Sequence, residues 1–275
     1  KYTKIIAIAN KEAIICGWNL IKKKLDFYKT KFLPVDSEHF SIWKILKSER
    51  IENIHQIFLT ASGGPFLNKS FNQIKNANVA AALKHPNWKM GKKISIDSAT
   101  MMNKVFEVVE TKNIFSVPYT KIDILIHPKS YIHAIVKFND GTSQFLAHEP
   151  SMKIPIFNTL YFNYSRKIES KKININILNN LKLKKIDKNI FPVIKILDLL
   201  PSKTSLFETV LVAANDQLVN LFLDKKIKFN EISKNILKLM NRKEFLVYKK
   251  IKPKNIQDIH TLSKYVRLKV KSLCV

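Results

Sequence analysis

Apolar residues in this chain come first as short blocks and later at helical spacing. Ile5 to Ala9 is a compact apolar run that predicts a buried strand. Asn10-Lys11-Glu12 follows it, and a helix is expected from there to about Leu25. Phe32 to Val35 predicts a second strand, ended by Asp36-Ser37-Glu38-His39. Ile57 to Thr60 predicts a third, followed by Ala61-Ser62-Gly63-Gly64-Pro65. Each of these strand ends carries polar residues, and in α/β sheets ligands gather at the carboxyl ends of strands.

Ile122 to Ile126 and Tyr131 to Phe138 read as further strands. Asn139-Asp140-Gly141 is a strong hairpin turn leading into Thr142 to Ala147. Residues 151 to about 185 lose periodicity and become rich in Lys, Asn and Ile, which reads as a linker crossing the surface. From about Phe191 onward the apolar spacing is helical, as in Val210, Val212, Ala213 and Leu218. The fold class is therefore α/β: an incomplete parallel sheet leads into a mixed sheet, followed by a linker and a C-terminal helical bundle.

The segment from His85 to Glu107 holds the densest chemistry. It combines a histidine, a tryptophan, a glycine, serines, an amide, lysines and a carboxylate. Asp97 and Ser98 are good N-cap residues, so a helix is expected to start there, and a helix N-terminus favours anions. Asn103 and Glu107 are four apart and share one helix face. Lys104 is about 100° from Asn103, within reach of the same ligand. Upstream, Asp36 and Glu38 alternate, so in an extended segment both carboxylates point to one side and suit Mg²⁺ or Mn²⁺. Alone, that pair is more often part of a solvated loop. Ser62-Gly63-Gly64-Pro65 equally describes an anion-binding turn or an ordinary one. Trp88, with Met90 and Gly91, forms either a mobile cover over a substrate or a surface loop anchored by a buried indole. His85 suits phosphate or acid–base work, although a lone histidine before proline is more often structural. His127 and His133 do not have zinc spacing and are read as structural.

Composition narrows the field. The chain has 275 residues, 46% of them hydrophobic, enough for two domains or one large one. A net charge of +27 raises polyanion binding, but the lysines are spread along the whole chain and no nucleic-acid motif accompanies them. Specific nucleic-acid binding is not expected. Cys16 and Cys274 form no pair motif, which fits a reducing compartment. No apolar run reaches membrane-spanning length, and Lys11 and Glu12 interrupt the apolar N-terminal stretch, so no signal peptide or membrane partner is expected and the cytoplasm is the default. Glycines occur only at 17, 63, 64, 91 and 141, so the chain carries no glycine-rich dinucleotide loop and no P-loop.

Six ordered motifs then carry a resemblance. They are Ala9-Asn-Lys-Glu12, Leu33-Pro-Val-Asp-Ser-Glu-His39, Ala61-Ser-Gly-Gly-Pro-Phe66, His85-Pro-Asn-Trp-Lys-Met-Gly-Lys92, Ile96-Asp-Ser-Ala-Thr-Met-Met-Asn-Lys104 with Glu107, and Ile126-His-Pro-Lys-Ser-Tyr-Ile-His133. Together they resemble the 1-deoxy-D-xylulose 5-phosphate reductoisomerase family. The resemblance implies the tail of a Rossmann-like NADPH-binding domain over 1–35 and a catalytic domain over 36–150 with a lid near 85–93. It also implies a linker over 151–187 and a helical domain over 188–275.

The resemblance further implies that Asp36, Glu38 and Glu107 hold Mg²⁺ or Mn²⁺, and that Lys11 and Ser37 contact the carbonyl and hydroxyl end of a phosphosugar. Ser62, His85, Ser98, Asn103 and Lys104 would bind its phosphate, Trp88 would close over its carbon chain, and Asn10, Glu12 and Gly91 would touch NADPH. Lys11, Asp36, Glu38 and Glu107 would form the catalytic set. The implied reaction is a skeletal rearrangement by retro-aldol cleavage and re-addition, then hydride transfer from NADPH. A homodimer is implied as well.

This chain departs from that pattern in places. The family's glycine-loop domain is almost wholly missing, and the first residue is Lys rather than Met. The expectation is a fragment of the enzyme. The alternatives are a non-catalytic metal- and phosphosugar-binding remnant, or a basic scaffold for polyanions. Val105, His148 and Ser151 stand where Gly, Gly and Asp are commoner.

Overall fold

The computed structural model describes residues 3–274. In chain order the elements are β1 (Ile5–Ile8), α1 (Lys11–Tyr28), β2 (Lys31–Pro34), α2 (Ser37–Ile45), β3 (Ile54–Ala61), α3 (Phe71–Lys75), α4 (Val79–Leu83), α5 (Lys92–Thr100) and α6 (Met102–Phe115). Next come β4 (Ile122–Ile126), β5 (Ile132–Phe138), β6 (Ser143–Ala147), α7 (Lys153–Leu160), α8 (Ile175–Leu178) and β7 (Lys184–Lys185). The chain ends with α9 (Phe207–Leu223), α10 (Phe229–Met240), α11 (Lys243–Leu246) and α12 (Ile256–Cys274).

Two compact, discontinuous units result. The first holds the chain up to Lys11, Lys24–Ser62 and Glu107–Ile186. The second holds Glu12–Lys23, Gly63–Phe106 and the chain from Asp187.

The first unit contains both sheets. β1 and β2 pair in parallel, with Ile5 opposite Lys31 and Ile8 opposite Pro34. The larger sheet has the order β6-β5-β3-β4-β7. Its central strand β3 runs parallel to β4 and antiparallel to β5, which makes the sheet mixed. Ile54, Ile57 and Leu59 of β3 and Ala134 and Val136 of β5 are wholly buried, as their near-continuous apolar sequence requires of a sheet packed on its face. Phe40 and Ile42 of α2 are also buried, and α2 packs on β5 and β6. The turn at Asn139–Gly141 forms as its sequence demands, with Gly141 at φ 89°.

Residues 151–187, expected as a linker, carry structure of their own. Thr159 of α7 donates to the Pro34 carbonyl at 3.2 Å, and β7 adds an edge to β4. Their lack of apolar periodicity reflects short edge elements, which bury too little surface to show a period.

The second unit is mainly helical. α9 packs against α10 and α12, and Val210, Leu211, Ala214 and Leu218 of α9 are buried with Ile232 and Ile236 of α10 and Val266 and Val270 of α12. Phe229 lies edge-on to Phe66 at 4.8 Å and to Phe222 at 5.5 Å. Burying these apolar faces is the dominant favourable term for such helices.

The helix expected to begin at Asp97 or Ser98 starts earlier, at Lys92, with Gly91 as its N-cap. Asp97 and Ser98 therefore lie in its last turns. The reason is local: Lys93 and Asp97 form an ion pair four residues apart, at 2.9 Å, which supports a helix across them. Met101 then adopts a left-handed conformation, φ 68°, and ends α5. The Thr100 hydroxyl accepts from the Met102 amide at 3.3 Å, and α6 starts there.

Candidate functional site

Three carboxylates converge in the first unit. One oxygen from each of Asp36, Glu38 and Glu107 lies within 4.8 Å of the others. Asp36 and Glu38 do not alternate along an extended strand as expected, because a helix begins between them. β2 stops at Pro34, which has no amide hydrogen to continue a ladder. Asp36 is the residue before α2, and Glu38 sits in its first turn. A strand-to-helix corner thus replaces an extended strand in bringing the pair together, and α6 supplies Glu107.

Lys11, the first residue of α1, sits among these acids. Its Nζ is 2.9 Å from Asp36 Oδ2 and 3.9 Å from both Glu107 and Glu110. Burial works against the ammonium charge, yet Asp36, Glu110 and Glu107 outweigh it and hold Lys11 well above the ordinary lysine range. Burial likewise opposes the Asp36 charge, and Lys11 and His39 overcome it, holding the carboxyl well below the usual carboxylate range. Ser37 donates to Glu38 Oε2 at 2.6 Å and orients it. The donor set is all hard oxygen, which fits Mg²⁺ or Mn²⁺ rather than a soft metal.

Two further residues join this cluster, neither of them expected to have a role in the site. Glu110 is 1% exposed, and burial pushes its carboxyl up to about 7, with Asp36 and Glu107 adding to the effect. Its position three residues beyond Glu107 on α6 was the available signal. His39 Nε2 donates to the Glu107 carbonyl at 3.0 Å and lies 3.0 Å from the Thr111 hydroxyl. Asp36, His39 and Glu110 form a second group whose ligand atoms lie within 4.8 Å of one another.

The second unit holds other expected residues. Ser98 is in the last turn of α5, and Asn103 and Lys104 are in the first turn of α6, so the break at Met101 gathers all three around one helix junction. Gly64 is at φ 62°, and a Cβ there would meet the Ser98 carbonyl at 3.0 Å. The second glycine of Ser62-Gly-Gly-Pro therefore lets the chain approach the end of α5 closely. Ser62, the last residue of its stretch of the first unit, is half-buried just beyond β3. Val105 is wholly buried and acts as a core residue.

His85 and Trp88 are both half-buried in the segment between α4 and α5, and Gly91 is exposed. Asn10 is exposed at the end of β1. Glu12 takes part in a charge network: Lys93 Nζ is 2.5 Å from Glu12, 2.9 Å from Asp97 and 3.3 Å from Asp216. Arg267 pairs with Asp216 at 2.5 Å, and Asn215 donates to Asp97 at 2.7 Å. Burial raises the Asp97 carboxyl, and the contacts with Lys93 and Asn215 act against that rise. Burial also opposes the Lys93 charge, but Asp97 and Asp216 hold it above the usual lysine range. No sequence signal linked residues so far apart in the chain.

Comparison with known proteins places these residues in a family. Residues 32–115 match the family described as 1-deoxy-D-xylulose 5-phosphate reductoisomerase C-terminal domain, and residues 148–269 match the DXP reductoisomerase C-terminal domain. The chain is 60% identical, over all 275 residues, to the 1-deoxy-D-xylulose 5-phosphate reductoisomerase of Pelagibacter ubique, and it spans 71% of that protein. This chain belongs to the reductoisomerase family. It is also 44% identical to the reductoisomerase of a Sulfurihydrogenibium species over 89% of its own length, and it spans 64% of that relative, less than two thirds.

Among solved structures, a reductoisomerase in complex with NADPH, fosmidomycin and magnesium is similar over 98% of the chain and 69% of its own, at 31% identity and a TM-score of 0.89. The Zymomonas mobilis reductoisomerase in complex with NADPH has the same identity and coverage, with a TM-score of 0.86. Among the described residues, no helix is long and apolar enough to cross a membrane.

Proposed function

We propose that this chain carries the metal- and substrate-binding parts of an enzyme that converts 1-deoxy-D-xylulose 5-phosphate and NADPH to 2-C-methyl-D-erythritol 4-phosphate. The observation that carries this reading is the convergence of Asp36, Glu38 and Glu107 beside buried Lys11. Asp36, Glu38 and Glu107 hold Mg²⁺ or Mn²⁺. The bound metal supplies a Lewis acid at two neighbouring substrate oxygens. Lys11, held protonated by its acidic neighbours, donates to the carbonyl and hydroxyl end of the substrate, and Ser37 orients Glu38 for its task.

In the second unit, Ser98, Asn103 and Lys104 take the phosphate at the junction where α5 ends and α6 begins, through a hydroxyl, an amide and an ammonium side chain. Ser62 and His85 belong to the same role. Trp88 covers the carbon chain and excludes water. Asn10, Glu12 and Gly91 contact the nicotinamide. The magnesium and fosmidomycin bound by a structural neighbour support this chemistry. Homodimeric assembly and a cytoplasmic location follow from the same family reading.

The test is a titration of the protein with fosmidomycin, with and without Mg²⁺, followed by NADPH consumption with 1-deoxy-D-xylulose 5-phosphate in the product of the complete reading frame. Binding that requires the metal, with turnover, is expected. Metal-dependent binding without turnover would support the non-catalytic remnant instead. Binding that ignores the metal, or only a steep salt dependence on nucleic acid, would overturn the assignment.

A further inference from the structure

His85 stands at the exit of α4, followed by Pro86 and the residues leading to Trp88. Its Nδ1 lies 3.1 Å from the Asn87 amide and 3.0 Å from the Trp88 amide, and both donate to it. A ring nitrogen that accepts two N–H groups carries no proton, so the neutral ring holds its proton on Nε2. Pro86 has no amide hydrogen and a fixed φ, so the next two amides are the first that can turn back onto the imidazole. The side chain thus closes a short turn through its own ring, and Trp88 leaves from the end of that turn.

We propose that His85 is a positioning residue: its Nδ1 builds the turn that presents Trp88, and this turn fixes Nε2–H as a neutral donor for an anionic ligand. This deepens the reading above, which supplies the phosphosugar as that ligand. Protonating Nδ1 would displace two backbone amides, and burial already lowers the ring to about 4. His85 therefore serves a phosphate as a hydrogen-bond donor, without taking up a proton near neutral pH. The acid–base alternative raised by its residue type is excluded by how Nδ1 is used.

Two measurements test this. In ¹⁵N-histidine-labelled, ligand-free protein, the imidazole signals that vanish in His85→Asn should show the Nε2–H tautomer at pH 7. An imidazolium or an Nδ1–H pattern would overturn the proposal.

The second measurement is fosmidomycin binding with Mg²⁺. Asparagine places an acceptor where Nδ1 stands but lacks the distal donor, whereas glutamine reaches the distal position and leaves the turn without its acceptor. His85→Asn should weaken binding about fivefold, the loss of one neutral hydrogen bond, and His85→Gln at least about thirtyfold. Equal losses, or the reverse order, would overturn the positioning role. If the unaltered protein does not bind fosmidomycin, the functional reading fails, and the imidazole spectra still decide the role of His85.

Discussion

Two lysine-centred clusters in this protein are built from the same residue types and do different things. Around Lys11, the acids Asp36, Glu107 and Glu110 crowd one ammonium, Glu38 joins Asp36 and Glu107, and Glu110 is pushed up to about 7 beside His39. Around Lys93, the acids Glu12, Asp97 and Asp216 are met by two cations, Lys93 and Arg267, and by the amide of Asn215. The second cluster nearly neutralises itself. The first sets four acids against Lys11 and His39, and the surplus of acids suits a further cation. Surplus charge, more than residue type, sets the first cluster apart from the second, because desolvated charge without a partner is costly.

The largest expected effect breaks the Lys11 cluster. Glu107→Gln should weaken Mg²⁺-dependent fosmidomycin binding by more than about 100-fold, since loss of even an indirect metal partner costs 10- to 100-fold. Its stability without metal should hold or rise, because one of the crowded carboxylates is neutralised. A variant that binds fosmidomycin as before, or unfolds easily, would place Glu107 in a brace instead.

Asp97→Ala should behave in the opposite way. It leaves Lys93 short of a buried partner and Asn215 without its acceptor, and should lower the unfolding free energy by about 2–3 kcal/mol in urea. Mg²⁺ should not restore it. Restoration by Mg²⁺ would erase the distinction between the clusters.

The smallest effect sharpens the comparison through pH. The folded carboxyl of Glu110 titrates near 7, above its unfolded value near 4.5, so the folded state binds the extra proton between those limits. Its contribution to stability is full below about 4.5 and is lost as pH rises through 7. Glu110→Gln should therefore gain stability relative to the unaltered protein as pH rises from about 5 to 8, by roughly 1 kcal/mol or more. A difference that stays flat with pH would show Glu110 to be ionised throughout.

Much of the fold was legible because its signals are local. The β4 bounds, the hairpin at Asn139–Gly141 and the helical end all follow from short-range pattern and turn chemistry. Errors arose where a local rule met a competitor. Ser98 resembles a helix start, but the pair from Lys93 to Asp97 extends α5 backward and Met101 ends it. Asp36 and Glu38 resemble an alternating strand, but Pro34 ends β2 and a helix begins at Ser37. The two carboxylates do lie together, but at a strand-to-helix corner rather than on one side of an extended strand.

By itself the sequence determined where polar chemistry is concentrated: acids, hydroxyls and an amide lie in compact motifs whose types suit a hard metal and an anion. Tertiary structure alone decided how charge is shared. Lys11 and Asp36 are 25 residues apart and meet in a part-buried setting, and Asn215 and Asp97 are 118 apart and meet in a buried one. Whether a carboxylate is spent on a neighbouring cation or left for a metal depends on desolvation and on distances of a few ångströms. Those are fixed only when strands and helices pack.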